Sequence, residues 1–284
     1  MAVKLRKKPK KLRRKDLERL AVALTAVLLL LLIPLFFWKQ EGSDAPTHPT
    51  GTESTLTLPP ASLLEPNPYG PADFTYRDGY LSLKDGSGVL GVDVSSHQGA
   101  IDWLQVAEAG FEFALIRVGY RGYGNGTLVA DELAQSNYEG ARAAGLKVGA
   151  YIFSQAISVE EALEEAEFFL EQTAGWQLDM PVVFDWEYIS EEARTAQVDG
   201  ATVTACTLAF CREMEKNGLM PMIYFNLNLA VNYLDLEQLQ DYRFWLALYS
   251  DEMTYPYKID FWQYTQAGRV PGISTDVDIN LLLP

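Results

Sequence analysis

The apolar run Val182-Val183-Phe184 passes directly into Asp185-Trp186-Glu187, so a hydrophobic stretch ends in two acids one residue apart. Strand side chains alternate faces, which puts Asp185 and Glu187 on one side and Trp186 on the other. The run itself has the character of a fully buried strand. Two carboxylates at the edge of a core cost desolvation free energy unless a site uses them. With their pKa values driven apart, they are equipped for acid/base work on a glycosidic bond. Taken alone, the pair reads more simply as two strand-end acids satisfied by Arg, Lys or backbone N–H groups.

The elements around this pair decide between those readings. Eight strand-like apolar runs are expected at Val89–Val94, Phe113–Val118, Val148–Phe153, Pro181–Trp186, Met220–Phe225, Phe244–Tyr249, Asp260–Tyr264 and Val277–Leu281. Helical patterns separate the early ones, at Trp103–Ala109, Glu132–Ala144, Val159–Ala174 and Val203–Asn217. Gly145 and Gly218 are natural C-terminal stops, and Ser158 with Glu161 makes a capping box. Strand–helix alternation with eight strands predicts a (β/α)8 TIM-like barrel, irregular in its last quarter, where the gaps are too short for helices. A doubly wound open sheet is the runner-up, but no GxGxxG follows any strand, so nothing supports a dinucleotide site.

Active sites of such barrels lie at the C-terminal strand ends. There the sequence places Asp93, Tyr151, Asp185, Glu187, Tyr224, Asn226, Tyr249, Trp262, Gln263, Tyr264, Asp278 and Asn280. Four acids and a set of aromatics on one rim favour sugar chemistry over the plainer reading. Four acids could also hold a hard cation such as Ca²⁺, but the aromatic rim argues for sugars, and no His/Cys cluster offers a transition-metal site. No metal and no cofactor is expected. His97 reads as a structural hydrogen-bonder, and Gly119–Gly126 as a mobile loop over the cleft. Asp102, Asp131, Asp199 and Asp276 read as caps or surface acids.

These residues also carry a resemblance. Gly91-Val-Asp-Val-Ser-Ser-His-Gln-Gly-Ala-Ile-Asp-Trp103 resembles the opening motif of glycoside hydrolase family 25, the Chalaropsis-type lysozymes or N-acetylmuramidases. The likeness continues through Ala114–Tyr120, Asp131, Gly145–Phe153, Pro181–Glu187, Phe261–Tyr264 and Val277–Asn280, and covers about residues 89–284. It implies a flattened, irregular β/α barrel. It makes Glu187 the general acid and Asp185 the partner carboxylate that assists the reacting centre or raises the acid's pKa. Asp93 and Asp278 become two further site acids that orient water or substrate. Tyr151, Tyr224, Trp262, Tyr249 and Asn280 are the expected substrate contacts. The implied substrate is the β-1,4 bond from N-acetylmuramic acid to N-acetylglucosamine in peptidoglycan glycan strands. A non-catalytic cell-wall glycan-binding module, and a glycosidase on another polysaccharide such as chitin, are the alternatives.

Charge sets the setting. The 284-residue chain has 23 basic and 38 acidic residues, and residues 1–19 hold ten of the former against two of the latter, leaving a net −23 beyond position 19. So acidic a body argues against nucleic acid as a partner. The basic tail (1–19) runs into residues 20–38, which carry no charge. Nineteen helical residues span about 28 Å, close to the hydrocarbon thickness of a bilayer. The flank Phe36-Phe37-Trp38-Lys39 is bulky rather than small-x-small, which favours an uncleaved transmembrane signal anchor over a cleaved signal peptide. The expected organisation is a cytoplasmic tail, an anchor at 20–38, a Pro/Ser/Thr-rich linker at 39–88 ending in a short hairpin near 73–88, and an extracytoplasmic catalytic barrel at 89–284, acting as a monomer. Cys206 and Cys211, five apart on a predicted helix, lie on different faces and are expected as buried small hydrophobes rather than a disulfide.

Overall fold

The computed structural model describes residues 63–284. A hairpin, β1 (Phe74–Arg77) and β2 (Tyr80–Leu83), precedes β3 (Val89–Val94), β4 (Phe113–Arg121), β5 (Leu128–Ala130), β6 (Lys147–Ser154) and β7 (Val182–Trp186). There follow β8 (Pro221–Asn226), β9 (Arg243–Ala247), β10 (Phe261–Gly268) and β11 (Val277–Leu282). Helices α1 (Trp103–Glu108), α2 (Ala134–Ala143), α3 (Val159–Gln172), α4 (Gly200–Lys216) and α5 (Leu227–Asn232) lie between the strands. Strands β3, β4 and β6 to β11 form a continuous sheet that closes through the β3–β4 pairing, while β5 folds back on the end of β4.

This is an eight-stranded β-barrel with few helices, and the expected (β/α)8 TIM-like barrel is not what the chain forms. The barrel strands β3, β4 and β6 to β10 run parallel, but β11 runs antiparallel to both β10 and β3. An antiparallel neighbour is reached by a short connection, whereas a parallel one needs a long crossover. The connection from Gly268 to Val277 therefore needs no helix. Between β9 and β10 an irregular loop replaces one, and Met253, Tyr255 and Ile259 from that loop are buried where helical side chains would otherwise pack. The expected anchor at 20–38 lies outside the described residues. Among the described residues no helix is long and apolar enough to cross a membrane.

Alternation along the strands splits the core in two. Phe113, Leu115, Val183, Met222, Trp245 and Phe261 fill the barrel interior, while Ile116, Phe184, Ile223 and Leu246 pack outward against Phe169, Phe210 and other helix residues. Gly91 sits on the inner face, where a Cβ would lie 2.3 Å from the Phe113 ring. The helix ends follow their sequence signals: the Ser158 hydroxyl accepts from the Glu161 N–H, and Gly145 and Gly218 adopt positive φ just past α2 and α4. Both cysteines are free and buried on α4. The hairpin docks on the barrel's outer surface, with Leu81 and Leu83 buried and Phe74 edge-on to Trp262 at 5.0 Å. Ahead of it, the Asn67 N–H donates to the Pro256 carbonyl at 2.9 Å.

Candidate active site

The same alternation builds the site. On β7, Val183 faces the interior and Phe184 and Trp186 face outward, so Asp185 points inward and Glu187 follows it on the same parity. Trp186 is held outside, where its indole N–H donates to the Ala156 carbonyl at 2.9 Å. Asp93 on β3 and Asp278 on β11 are directly paired across the antiparallel ladder. The structure therefore brings Asp93, Asp185, Glu187 and Asp278 together above the barrel core. Asp93 and Asp185 are buried, and Glu187 and Asp278 are half-buried at the mouth.

Each acid has its own surroundings. One Asp93 oxygen accepts from Asn280 Nδ2 at 2.8 Å and Gln263 Nε2 at 2.9 Å. Burial pushes this carboxyl up to about 6, opposed by the hydrogen bonds from Asn280, Gln263 and Asp278, which favour its ionised form. Burial, then the charges of Asp93 and Glu187, hold Asp278 well above the ordinary carboxylate range. Burial raises Glu187 to about 7, and Asp93 adds to the rise. Asp185 is also held high, by burial first and then by Glu187 and Asp93, while Arg117 pulls it down. Its Oδ1 is buried with no hydrogen-bond partner in the protein. An orphaned buried acceptor costs about 1–3 kcal/mol, and such a cost is tolerated where a site needs the group. The cluster as a whole retains protons that isolated carboxylates would have lost by neutral pH.

Aromatic side chains frame the acids. Tyr151 and Tyr224 both meet the Trp245 ring edge-on, at 6.1 and 5.0 Å. Tyr249 is 40% exposed and donates its hydroxyl proton to Gln263 Oε1 at 3.0 Å, beside Asp278 and Glu187. Two of the expected substrate contacts lie elsewhere. Trp262 is fully buried on the outer face of β10, donating to the Leu248 carbonyl at 2.8 Å, so it is a core residue and not part of the rim. Asn280 is fully buried beneath Asp93, accepting from Trp245 Nε1 at 2.8 Å while donating to the acid; it positions Asp93 and does not reach the surface.

Residue parity also exposes Trp245, which the sequence reading passed over. Trp245 shares the inward face of β9 with Ala247, and Gln263 that of β10 with Phe261, and each supports the acid cluster. Arg117 on β4 is a further one. It pairs with Asp131 at 2.8 Å and donates to the Ser96 hydroxyl at 3.3 Å. Asp131, expected as a cap or surface acid, does accept the Leu133 N–H but is buried in this ion pair. Asp102 and Asp199 cap α1 and α4 as expected. The Gly119–Gly126 segment, expected as a mobile loop, is instead a tight hairpin turn. The Gly122 N–H bonds to the Thr127 carbonyl at 2.9 Å, and Arg121 beneath it is tied to Glu165 at 2.7 Å.

Residues 92–273 match the model of glycosyl hydrolases family 25. The chain belongs to this family. It is 29% identical over 207 residues to lysozyme M1 of Streptomyces globisporus, covering 69% of this chain and 68% of that one. It is 28% identical over 194 residues to the autolytic lysozyme of Clostridium acetobutylicum, covering 67% of this chain and 54% of the relative. The family 25 chain thus spans about half the length of that second relative. Among solved structures, the bacterial lysozyme of Streptomyces coelicolor superposes with a TM-score of 0.55 at 28% identity, covering 70% of this chain and 93% of that one. The matched span carries Asp93, Asp185 and Glu187, and Asp278 lies just beyond it.

Proposed function

We propose that the protein is a muramidase that hydrolyses the β-1,4 bond from N-acetylmuramic acid to N-acetylglucosamine in peptidoglycan. The observation that carries this reading is Glu187, held to about 7 by burial among three other acids at the open end of a family 25 barrel. A carboxylic acid that keeps its proton near neutral pH can act as a general acid. Burial and mutual repulsion make double ionisation of Asp185 and Glu187 costly, so the pair shares one proton. Positive charge growing at the anomeric carbon favours ionised Asp185 with the proton on Glu187. Glu187 then protonates the leaving oxygen as the C–O bond breaks and its electron pair goes to that oxygen. Water supplies the new hydroxyl, and its proton restores Glu187. Asp93, fixed by Gln263 and Asn280, and its ladder partner Asp278 orient substrate or water, and Tyr151, Tyr224 and Tyr249 line the sugar path. Names of relatives such as lysozyme M1 support this reading. Replacing Glu187→Gln should leave the fold intact and lower turnover on peptidoglycan by about 10²–10⁴-fold. Near-native turnover in that variant would defeat it.

We further propose that the barrel works outside the cell, with the chain held at the membrane through residues 20–38. Ten basic residues before an uncharged stretch, the positive-inside arrangement, support this. Protease added to intact, wall-stripped cells should remove the catalytic domain. A mature N-terminus just past residue 40 would contradict it.

A further inference from the structure

A groove of about 430 Å³ opens beside the acid rim. Its walls include Tyr76 and Tyr80 from the hairpin, Tyr249 and Asp251 after β9, and Tyr264 and Arg269 on or after β10. The hairpin wall is fixed by designed-looking contacts rather than loose packing: the Tyr76 hydroxyl donates to Asp251 at 2.5 Å, Tyr80 to the Arg269 carbonyl at 3.0 Å, and the Leu81 N–H to the Tyr264 hydroxyl at 3.3 Å. Tyr76 nevertheless leaves 51% of its surface in solvent, and Tyr249 leaves 40%. Exposed, hydrogen-bonded tyrosines present a rigid apolar face with a polar tip, which suits the C–H faces and hydroxyls of sugars. Tyr249 is common to both places: it lines the groove and also bonds to Gln263, the residue that holds Asp93. Tyr249 therefore joins the acid rim to the groove. The hairpin lies outside residues 92–273, so this wall is an addition to the family's matched region.

We propose that this groove is an additional subsite for the glycan strand, in which Tyr76 and Tyr249 hold sugar units beyond those at the scissile bond. The proposal rests on the muramidase reading above. The test compares peptide-free glycan strands of many repeats with the shortest fragment that is cleaved, using the full chain. In Tyr76→Ala, the ratio of kcat/KM on long strands to that on the short fragment should fall about three- to tenfold, the worth of one ring contact. Tyr76→Phe, which keeps the ring, should preserve the ratio. Ala267→Trp, which fills the groove from its other wall, should lower it as Tyr76→Ala does, and serves if Tyr76→Ala fails to fold. An unchanged ratio in Tyr76→Ala and Ala267→Trp would overturn the proposal. So would a fall confined to peptide-bearing peptidoglycan, which would assign the groove to the stem peptide. If the wild-type chain cleaves neither substrate, the muramidase reading fails. The groove is then judged by calorimetric affinity for the long strands, which Tyr76→Ala should weaken by the same factor and which an equal affinity would refute.

Discussion

Glu187→Gln should make the protein more stable at alkaline pH even as it removes activity. In the fold the Glu187 carboxyl rises from 4.5 to about 7, chiefly through burial. At about 1.36 kcal/mol per pKa unit, that displacement corresponds to ~3 kcal/mol. The direction follows from which state binds the proton. Between 4.5 and about 7 the folded protein holds a proton that the unfolded chain has lost, so wild-type stability falls as pH rises through this window. Below 4.5 both states are protonated and the site contributes no difference. Gln carries no charge and escapes the loss; it also relieves Asp185, whose carboxyl is raised partly by Glu187. Urea unfolding of the two proteins should give closely similar free energies at pH 4. At pH 8 the variant should be more stable by up to ~3 kcal/mol, seen as a higher midpoint with an unchanged slope. An equal gap at both pH values would refute the reasoning, because an ordinary exposed carboxylate behaves that way.

The Asp93 charge is the one that raises Glu187 beyond the effect of burial. Asp93→Asn should thus reduce turnover and move the alkaline limb of the pH–rate profile to lower pH; an unchanged profile would count against the acid cluster. Asn280→Ala takes a 2.8 Å donor from Asp93 and the acceptor from Trp245 Nε1, and should cost about 1–3 kcal/mol in denaturant unfolding while raising the pH at which Asp93 ionises, followed by carboxyl NMR. Gly91→Ala puts a methyl group 2.3 Å from the Phe113 ring and should destabilise by about 1–3 kcal/mol in thermal or urea unfolding.

Period-two reasoning found the strands well because it depends only on burial. The run at Val277–Leu281 became β11 (Val277–Leu282), and Val89–Val94 matched β3 residue for residue. Strand direction carries no such signal: an apolar run reads the same whether its neighbour is parallel or antiparallel, so the reversal of β11 was invisible and a (β/α)8 topology was expected. The acids were legible because a charged residue on an inward parity is costly without a use, as at Asp185. Trp262 was misplaced by attending to residue type over parity. Phe261 and Gln263 face inward, which fixes Trp262 outward. Asn280 has the inward parity but lies two residues deeper than Asp278 on β11, and depth within a barrel depends on register that no single strand reveals. The buried Arg117–Asp131 pair joins elements separated by a turn and the short strand β5, so spacing alone does not reveal the pairing, although both residues lie in the motifs that carry the family resemblance.

The most direct test of the central claim is the chemistry of the cut. Peptidoglycan digested by the full chain and then reduced with borohydride should yield muramitol at the new ends, because hydrolysis leaves N-acetylmuramic acid with the free reducing carbon. New ends appearing as glucosaminitol, or no new reducing ends while the protein binds the polymer, would contradict a muramidase.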